Sequence, residues 1–191
     1  MNKRLLLCCL ACVGLAACAS GGPSGLAASA LEATGLRKPA PPAVPAQRAL
    51  TLQLHAAPRL NVDARSQPLA LLVRVLKLRQ RSAFEAAPYA AFLAPQAERE
   101  ALGADLVEAK EVTLVPGQRL ELQEQLGQDV GWVGIVALFH APAPQGWRVV
   151  FPAEAAARGG VTVGLHACAV SVGGETAPAT PLKPLSLVRC Q

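Results

Sequence analysis

The chain has 191 residues, with 18 lysines and arginines against 13 acidic residues and only seven aromatic side chains. A formal surplus of +5 scattered along the sequence is too small for a nucleic-acid footprint, and so few aromatics leave little to stack on bases or sugars. The length suffices for one domain with a proper core. Met1 to Arg4 is a short basic start, and Leu5 to Ala17 carries no charge and no strongly polar group. A membrane-spanning helix needs about 20 apolar residues, whereas this run stops at Ala19-Ser20-Gly21-Gly22-Pro23. A basic end, an apolar stretch and small residues at the cut make residues 1–17 a removable secretory signal.

The ending Leu15-Ala16-Ala17-Cys18 resembles the lipobox of bacterial lipoproteins. That resemblance implies a diacylglyceryl group on the Cys18 thiol, cleavage just before it, and acylation of the freed amine. Cys18 is therefore the expected lipid attachment site, and this covalent lipid is the only non-protein group expected. The plainer alternative is an ordinary signal with an incidental cysteine; small residues at both preceding positions favour the lipobox. Ala19 also stands where an aspartate commonly retains such proteins in the inner membrane. The expected address is the periplasmic face of the outer membrane.

Cleavage would remove Lys3 and Arg4, leaving 16 basic residues against 13 acidic, or +3. Of six cysteines, Cys8, Cys9 and Cys12 leave with the signal and Cys18 is taken by lipid. Cys168 and Cys190 remain, an even pair in a compartment that permits disulfides. They are expected to form a disulfide, two buried free thiols being the alternative. Residues 18–47 are rich in Gly, Ala and Pro, with Pro39, Pro41, Pro42 and Pro45 close together. Such composition makes a semi-extended tether with a reach of roughly 30 Å. Within it, Leu26 to Leu36 has the makings of a short helix.

From Leu50 the hydrophobic period becomes two. Leu50, Leu52 and Leu54 alternate with Thr51, Gln53 and His55, the pattern of a half-buried strand. Ala57 to Pro68 reads as a polar loop and Leu69 to Leu78 as a second strand. In that strand Leu71-Leu72 and Leu76 break alternation, which calls for a bulge or burial on both faces. Ser82-Ala83-Phe84-Glu85 has the spacing of a capping box. Pro88 suits a further helical turn carrying Tyr89, Phe92 and Leu93, Pro95 interrupts it, and Gln96 to Leu102 ends at Gly103. Residues 82–103 are thus expected to be a helical insertion lying on a sheet, with the aromatics as packing residues.

Strand patterns resume at Leu106–Leu114 and Arg119–Leu126, on either side of the Pro116-Gly117 turn. Glu121 and Glu124 suggest an acid/base pair at first sight, but both are expected on a solvated strand face. Trp132 to Phe139 is almost wholly apolar, as in a central strand buried on both faces. Trp147 to Phe151 is expected to pair with it across Pro142–Gly146. Val161, Val163 and Leu165, then Cys168, Val170 and Val172, supply the last strands. Residues 173–184 read as a Pro-rich loop and Leu185 to Cys190 as a short apolar tail. Seven or eight short strands with turn signals between them make a mainly β protein, a β-sandwich interrupted by helices.

Little in this pattern suggests chemistry. His55, His140 and His166 lack partners at metal-ligand spacing. No serine sits in a nucleophile elbow. Gly159-Gly160 and Gly173-Gly174 lack the lysine and setting of a phosphate loop. The expected role is binding or scaffolding, with no catalytic residue and no metal.

Leu60-Asn61-Val62-Asp63, followed by Pro68 and Val73-Arg74-Val75, resembles the opening of the TssJ (SciN) family of outer-membrane lipoproteins of the type VI secretion system. Phe84, Leu102-Gly103-Ala104-Asp105, Pro116-Gly117 and Val133-Gly134-Ile135-Val136-Ala137 fall at that family's landmarks in order. The resemblance covers roughly residues 48–172 and implies a transthyretin-like two-sheet β-sandwich with a small helical insertion. It also implies that the domain performs no reaction. It would hold the periplasmic C-terminal region of the inner-membrane protein TssM at the outer membrane, largely through the loop between the first two strands. That loop is Arg59, Leu60, Asn61, Val62, Asp63, Ala64, Arg65, Ser66 and Gln67. Self-association is expected only within the assembled complex. The chain departs from the family pattern at Ala64-Arg65-Ser66, in its long tether, and in its C-terminal extension, residues 173–191. A second reading from another class is a lipoprotein that binds a small ligand or chaperones an outer-membrane protein.

Overall fold

The computed structural model describes residues 47–190; the expected signal, Cys18, residues 18–46 of the expected tether and the short helix expected within it lie outside them. Among the described residues, eight strands form two four-stranded sheets. The first sheet contains β1 (Arg48–Ala56), β4 (Arg119–Leu126), β7 (Val161–Leu165) and β8 (Val170–Gly173), in the order β4-β1-β7-β8. The second contains β2 (Leu71–Leu78), β3 (Leu106–Leu114), β5 (Trp132–Leu138) and β6 (Arg148–Pro152), in the order β3-β2-β5-β6. Every strand pair is antiparallel except β1 with β7, where Leu52 lies beside Val161 and Leu54 beside Val163.

Period-two alternation builds the core between the sheets. Leu50, Leu52 and Leu54 of β1 and Val161, Val163 and Leu165 of β7 face inward from the first sheet and are buried. Leu71, Val73 and Val75 of β2 and Ile135 and Ala137 of β5 meet them from the second.

The irregular pattern of β2 comes from burial on both faces. Arg74, Leu76 and Leu78 point away from the other sheet and are nevertheless buried, as is Val136 beside them. Their cover is the helical insertion: α1 (Ser82–Ala86), a 3-10 turn (Tyr89–Leu93) and α2 (Pro95–Leu102). A register shift does occur, at the far end of the β2–β3 pairing, between Lys77 and Leu78. Phe84 seats directly on the sheet because β5 carries glycine there. A Cβ on Gly134 would fall 2.8 Å from the Phe84 ring. Phe84 and Phe92 pack edge to face at 5.7 Å, and Phe92 and Tyr89 meet Trp147 at 5.5 and 5.0 Å. These rings are packing residues, and their offset geometry suits aromatic quadrupoles.

Local details of the insertion differ from the sequence expectation. The Ser82–Glu85 capping box does not form, because Ser82 is already the first helical residue and Arg81 occupies the cap without a side-chain bond. The Glu85 carboxylate instead meets Arg81 at 3.4 Å and accepts a hydrogen bond from Thr180 Oγ1 at 2.9 Å. Pro95 interrupts the Tyr89–Leu93 turn as expected and is itself the first residue of α2, since the missing N–H costs nothing in a first turn. At the end of α1, Arg148 from β6 donates to the carbonyl oxygens of Phe84 and Ala87 at 2.6 Å each and to that of Glu85. A cation at a helix C-terminus satisfies orphan carbonyls and complements the helix dipole.

One helix was not signalled by periodicity. α3 (Ala153–Gly159) crosses from β6 in the second sheet to β7 in the first. Its sequence, Ala-Glu-Ala-Ala-Ala-Arg-Gly, has no large apolar residue to mark a face, yet Ala153 and Ala156 are buried. Helix propensity and an i,i+4 ion pair of Glu154 with Arg158 support it locally. Residues beyond β8 run back across the molecule. Ala179 N donates to Val150 O at 2.8 Å, and a disulfide joins Cys190 to Cys168 with a Cα–Cα separation of 5.6 Å.

Candidate docking site

The connection from β1 to β2 is well defined although it has no regular structure. It starts from a leucine that cannot leave the core: Leu60 has no exposed surface. Asn61 follows in a left-handed conformation, φ 48°, which asparagine tolerates better than most residues. Its side chain is used at both ends, Nδ2 donating to Ala70 O at 2.7 Å and Oδ1 accepting from His140 N at 2.6 Å. Its backbone N–H donates to His166 O at 3.0 Å, and that of Val62 to Ala167 O at 3.1 Å. The loop is thereby tied to the β5–β6 and β7–β8 connections.

Beyond this base the chain turns outward. Asp63 Oδ1 accepts from the backbone N–H groups of Arg65 and Gln67, both at 2.8 Å. Ser66, at φ 60°, returns its N–H to Asp63 O at 2.9 Å. This is the side-chain-directed turn expected of aspartate. The result is a rigid tip on which Ala64, Arg65, Ser66 and Gln67 are exposed, with Arg59 exposed before the base.

Not all nine residues of the expected contact loop can therefore meet a partner. Leu60, expected in the contact loop, is core, and Asn61 is a buried brace. Val62 and Asp63 are partly covered. The sequence pattern missed the burial of Leu60 because a lone leucine after Pro58-Arg59 belongs to no periodic run. Sequence reasoning also passed over the neighbours that share this end of the sandwich. Gly117 N donates to Ala57 O at 3.2 Å, so the β3–β4 turn lies beside the loop and brings the half-exposed Val115 with it. His140 is exposed in the β5–β6 connection. Strands of known direction would have revealed these neighbours; an isolated motif could not.

Of the other histidines, His55 is a β1 residue. His166 Nε2 lies 2.7 Å from Ser171 Oγ, and burial holds its imidazole below the usual value. Cys168 lies beside Ala143 and Ala169, with Val188 of the tail packed on them. Tyr89 OH donates to Phe139 O at 2.6 Å, and burial pushes the phenol up to about 12.

Two ion clusters lie along β2, away from the loop. On the outer face of the second sheet, Arg74 Nη2 donates to Glu98 Oε1 at 2.9 Å and Nη1 to Glu111 Oε2 at 3.0 Å. Arg74 Nε and Glu98 Oε2 approach to 2.7 Å but out of line with the N–H, a charge contact rather than a hydrogen bond. Burial raises the Glu98 carboxyl, and Arg74 offsets this only in part.

Between the sheets, Lys77 Nζ meets Glu108 at 2.8 Å and Glu124 at 3.1 Å, while Lys110 meets Glu124 at 2.5 Å. Burial alone would raise the Glu124 carboxyl, but Lys110 and Lys77 together hold it below the ordinary value. Burial likewise lowers Lys77, and Glu108 and Glu124 outweigh it, leaving the ammonium raised. Glu124 is therefore not on a solvated face. Three positions after Glu121, it has the opposite parity in the strand and points inward.

The fold and this loop define a class: a β-sandwich with structural ion clusters and a rigid recognition loop braced at one end. The family model for type VI secretion lipoproteins (VasD, EvfM, TssJ) matches residues 48–168. The chain belongs to that family, which is one of structural components and implies a lipid on the protein. Among solved structures, the type VI lipoprotein TssJ1 from Pseudomonas aeruginosa is similar at 28% identity, with a TM-score of 0.59, over 70% of this chain and all of that one. Lip from Serratia marcescens, a membrane-bound component of the type VI secretion system, has 20% identity and a TM-score of 0.58, over 70% of this chain and all of its own. A chain in a structure described as "Type VI membrane complex" has 24% identity and a TM-score of 0.60, over 66% of this chain and 98% of that one. No curated protein sequence matches the chain.

Proposed function

We propose that this lipoprotein docks the periplasmic C-terminal region of a TssM-like inner-membrane protein at the outer membrane, held there by acyl chains on Cys18. More than one acyl chain makes release from a bilayer slow. The observation that carries the docking site is the construction of the β1–β2 loop. Its base is locked by Leu60 and Asn61 while Ala64 to Gln67 stand free. A braced loop on a rigid frame loses little conformational entropy on binding, and it tolerates sequence change without disturbing the core. A chain of the same fold, 23% identical with a TM-score of 0.56, occurs in a structure described as "T6SS protein TssM C-terminal domain (869-1107) from EAEC", which supports the choice of partner.

The ligand-binding alternative has less support. The cleft between β6 and the C-terminal extension holds about 330 Å³, lined by Phe84, Arg148, Val149 and Leu182 among others. Its half-buried cation, Arg148, is already committed to backbone carbonyls.

Exposed arginine is a frequent hot-spot residue. Arg65→Glu should weaken binding of the purified TssM periplasmic region at least tenfold, about 1.4 kcal/mol, with unchanged thermal unfolding. Equal affinity of Arg65→Glu and parent would place the contact elsewhere.

A further inference from the structure

The family match ends at residue 168, yet the chain continues and is fastened down where the β1–β2 loop lies. Val62 N–H bonds to Ala167 O, the next residue is Cys168, and Cys168 is bonded to Cys190. Val188 packs on Cys168 and Ala143. The last turn of this tail, Leu185–Leu187, leaves Leu187 68% and Leu185 40% exposed. These are large apolar side chains on a covalently held segment. Lys183 and Arg189 flank them, both exposed.

Bases outnumber acids around this end. The β1–β2, β3–β4, β5–β6 and β7–β8 connections, Arg119 at the start of β4 and residues 180–190 together hold Arg59, Arg65, Arg119, Lys183 and Arg189. Against these five those segments contain one acid, Asp63, whose Oδ1 is occupied by its own loop, while Glu85 and Glu175 line the clefts that Lys183 borders. The 127–131 and 153–160 connections at the opposite end, with the insertion 79–105 that lies over the second sheet, hold six acids and four bases; one of those acids, Glu85, reaches the tail at Thr180.

Resting on the docking reading above, we propose that the disulfide-held tail, through Leu187 and Arg189, is the second half of the docking surface. With the β1–β2 loop it forms one basic rim with an apolar centre, fitted to an acidic face of the periplasmic partner. Complementary charge speeds encounter and sets orientation, whereas a desolvated apolar side chain slows departure. Leu187 and Arg189 would divide these roles. The disulfide keeps the tail in place before the partner arrives, so little ordering is left for binding to oppose.

The test uses the full mature chain made without acylation, as the Cys18→Ala protein, and the purified periplasmic region of the TssM-like partner. Affinity is measured at 50 and 300 mM NaCl. The parent should lose at least tenfold in affinity at the higher salt. The double variant Leu187→Ser/Arg189→Glu should bind at least fivefold more weakly at low salt and depend less on salt, with an unchanged melting temperature. Cys190→Ser, which frees the tail but keeps both contact residues, should show a loss of similar size. If Arg65→Glu weakens binding while both tail variants match the parent, the tail inference is overturned and loop docking stands. If the folded parent does not bind the partner, both readings fall. If the tail variants lose affinity only for phosphatidylglycerol vesicles, the tail is a membrane contact and the inference is wrong.

Discussion

The two lateral margins of the sandwich meet the same problem in different ways. Where the sheets end in β3 and β4, the gap is filled by Lys77, Lys110, Glu108 and Glu124, with the Lys77 and Glu124 side chains each 8% exposed or less. At the β6/β8 margin it is covered by the C-terminal extension. That segment bonds to β6 through Ala179, reaches α1 through Thr180 and Glu85, and ends in the Cys168–Cys190 bridge. The first solution uses long side chains whose apolar stems lie in the core while their charges neutralise one another. It lies wholly inside the family match. The second depends on residues beyond it. A charged margin acts in the folded state and answers to pH, whereas a covalent strap chiefly restricts the unfolded chain and answers to redox conditions. The strap also covers a strand edge that would otherwise be open to pairing with another chain.

Breaking the charged margin should have the largest effect. Lys77→Ala removes the cation between two glutamates and leaves Glu124 with Lys110 alone. The expected loss is about 4 kcal/mol, as for other buried pairs deprived of one partner, read from urea unfolding at neutral pH. A loss below 1 kcal/mol would mean that the cluster is merely tolerated. Opening the strap should cost less. The bridge closes a loop with a sequence separation of 22, so Cys190→Ser should lose about 3 kcal/mol. The parent under reducing conditions should fall to the same level, and the variant should not respond to reductant. Thiol titration of the unreduced, denatured parent should find neither Cys168 nor Cys190 free.

The smallest effect separates the two margins by pH. Glu124 is held below its ordinary value of 4.5 in the folded protein. Its contribution is therefore present above pH 4.5 and lost as pH falls through the lower folded value. Lys77 is held above 10.5, so its share is present below that pH and lost as pH rises through the raised value. In Glu124→Gln the acid-side loss should shrink, and its stability gap to the parent should narrow below pH 4.5. Cys190→Ser should keep the parent's pH profile at a lower level. A parallel profile for Glu124→Gln would show that the carboxylate does not govern the acid limb.

Much of this molecule was legible in its residues. Alternation over Leu50–Leu54 located β1, and the apolar run from Trp132 located the central strand. The Pro116-Gly117 and Pro142–Gly146 turns located two connections. The aromatics of 84–92 were correctly read as packing. Misreadings occurred where local pattern and tertiary burial disagree. Glu124 looks like any exposed glutamate until Lys77 arrives from the other sheet. The poly-alanine α3 has no face until it is laid on β1, and Ser82-x-x-Glu85 forms no capping box because the helix already begins at Ser82 and Arg81 holds the cap position.

The recognition loop shows the division most clearly. Composition marked Ala57 to Pro68 as a loop, and the turn within it is built locally, by Asp63 side-chain-to-backbone bonds that act within a few residues. Which of its residues face outward was decided by long-range contacts: Leu60 sinking between the sheets, and Asn61 bridging Ala70 and His140. The sequence by itself determined strand periodicity and local turns, since these need only neighbours. The tertiary structure alone decided which charges are buried and which side chains share an end of the sandwich. Both depend on segments brought together only when the two sheets close on one core.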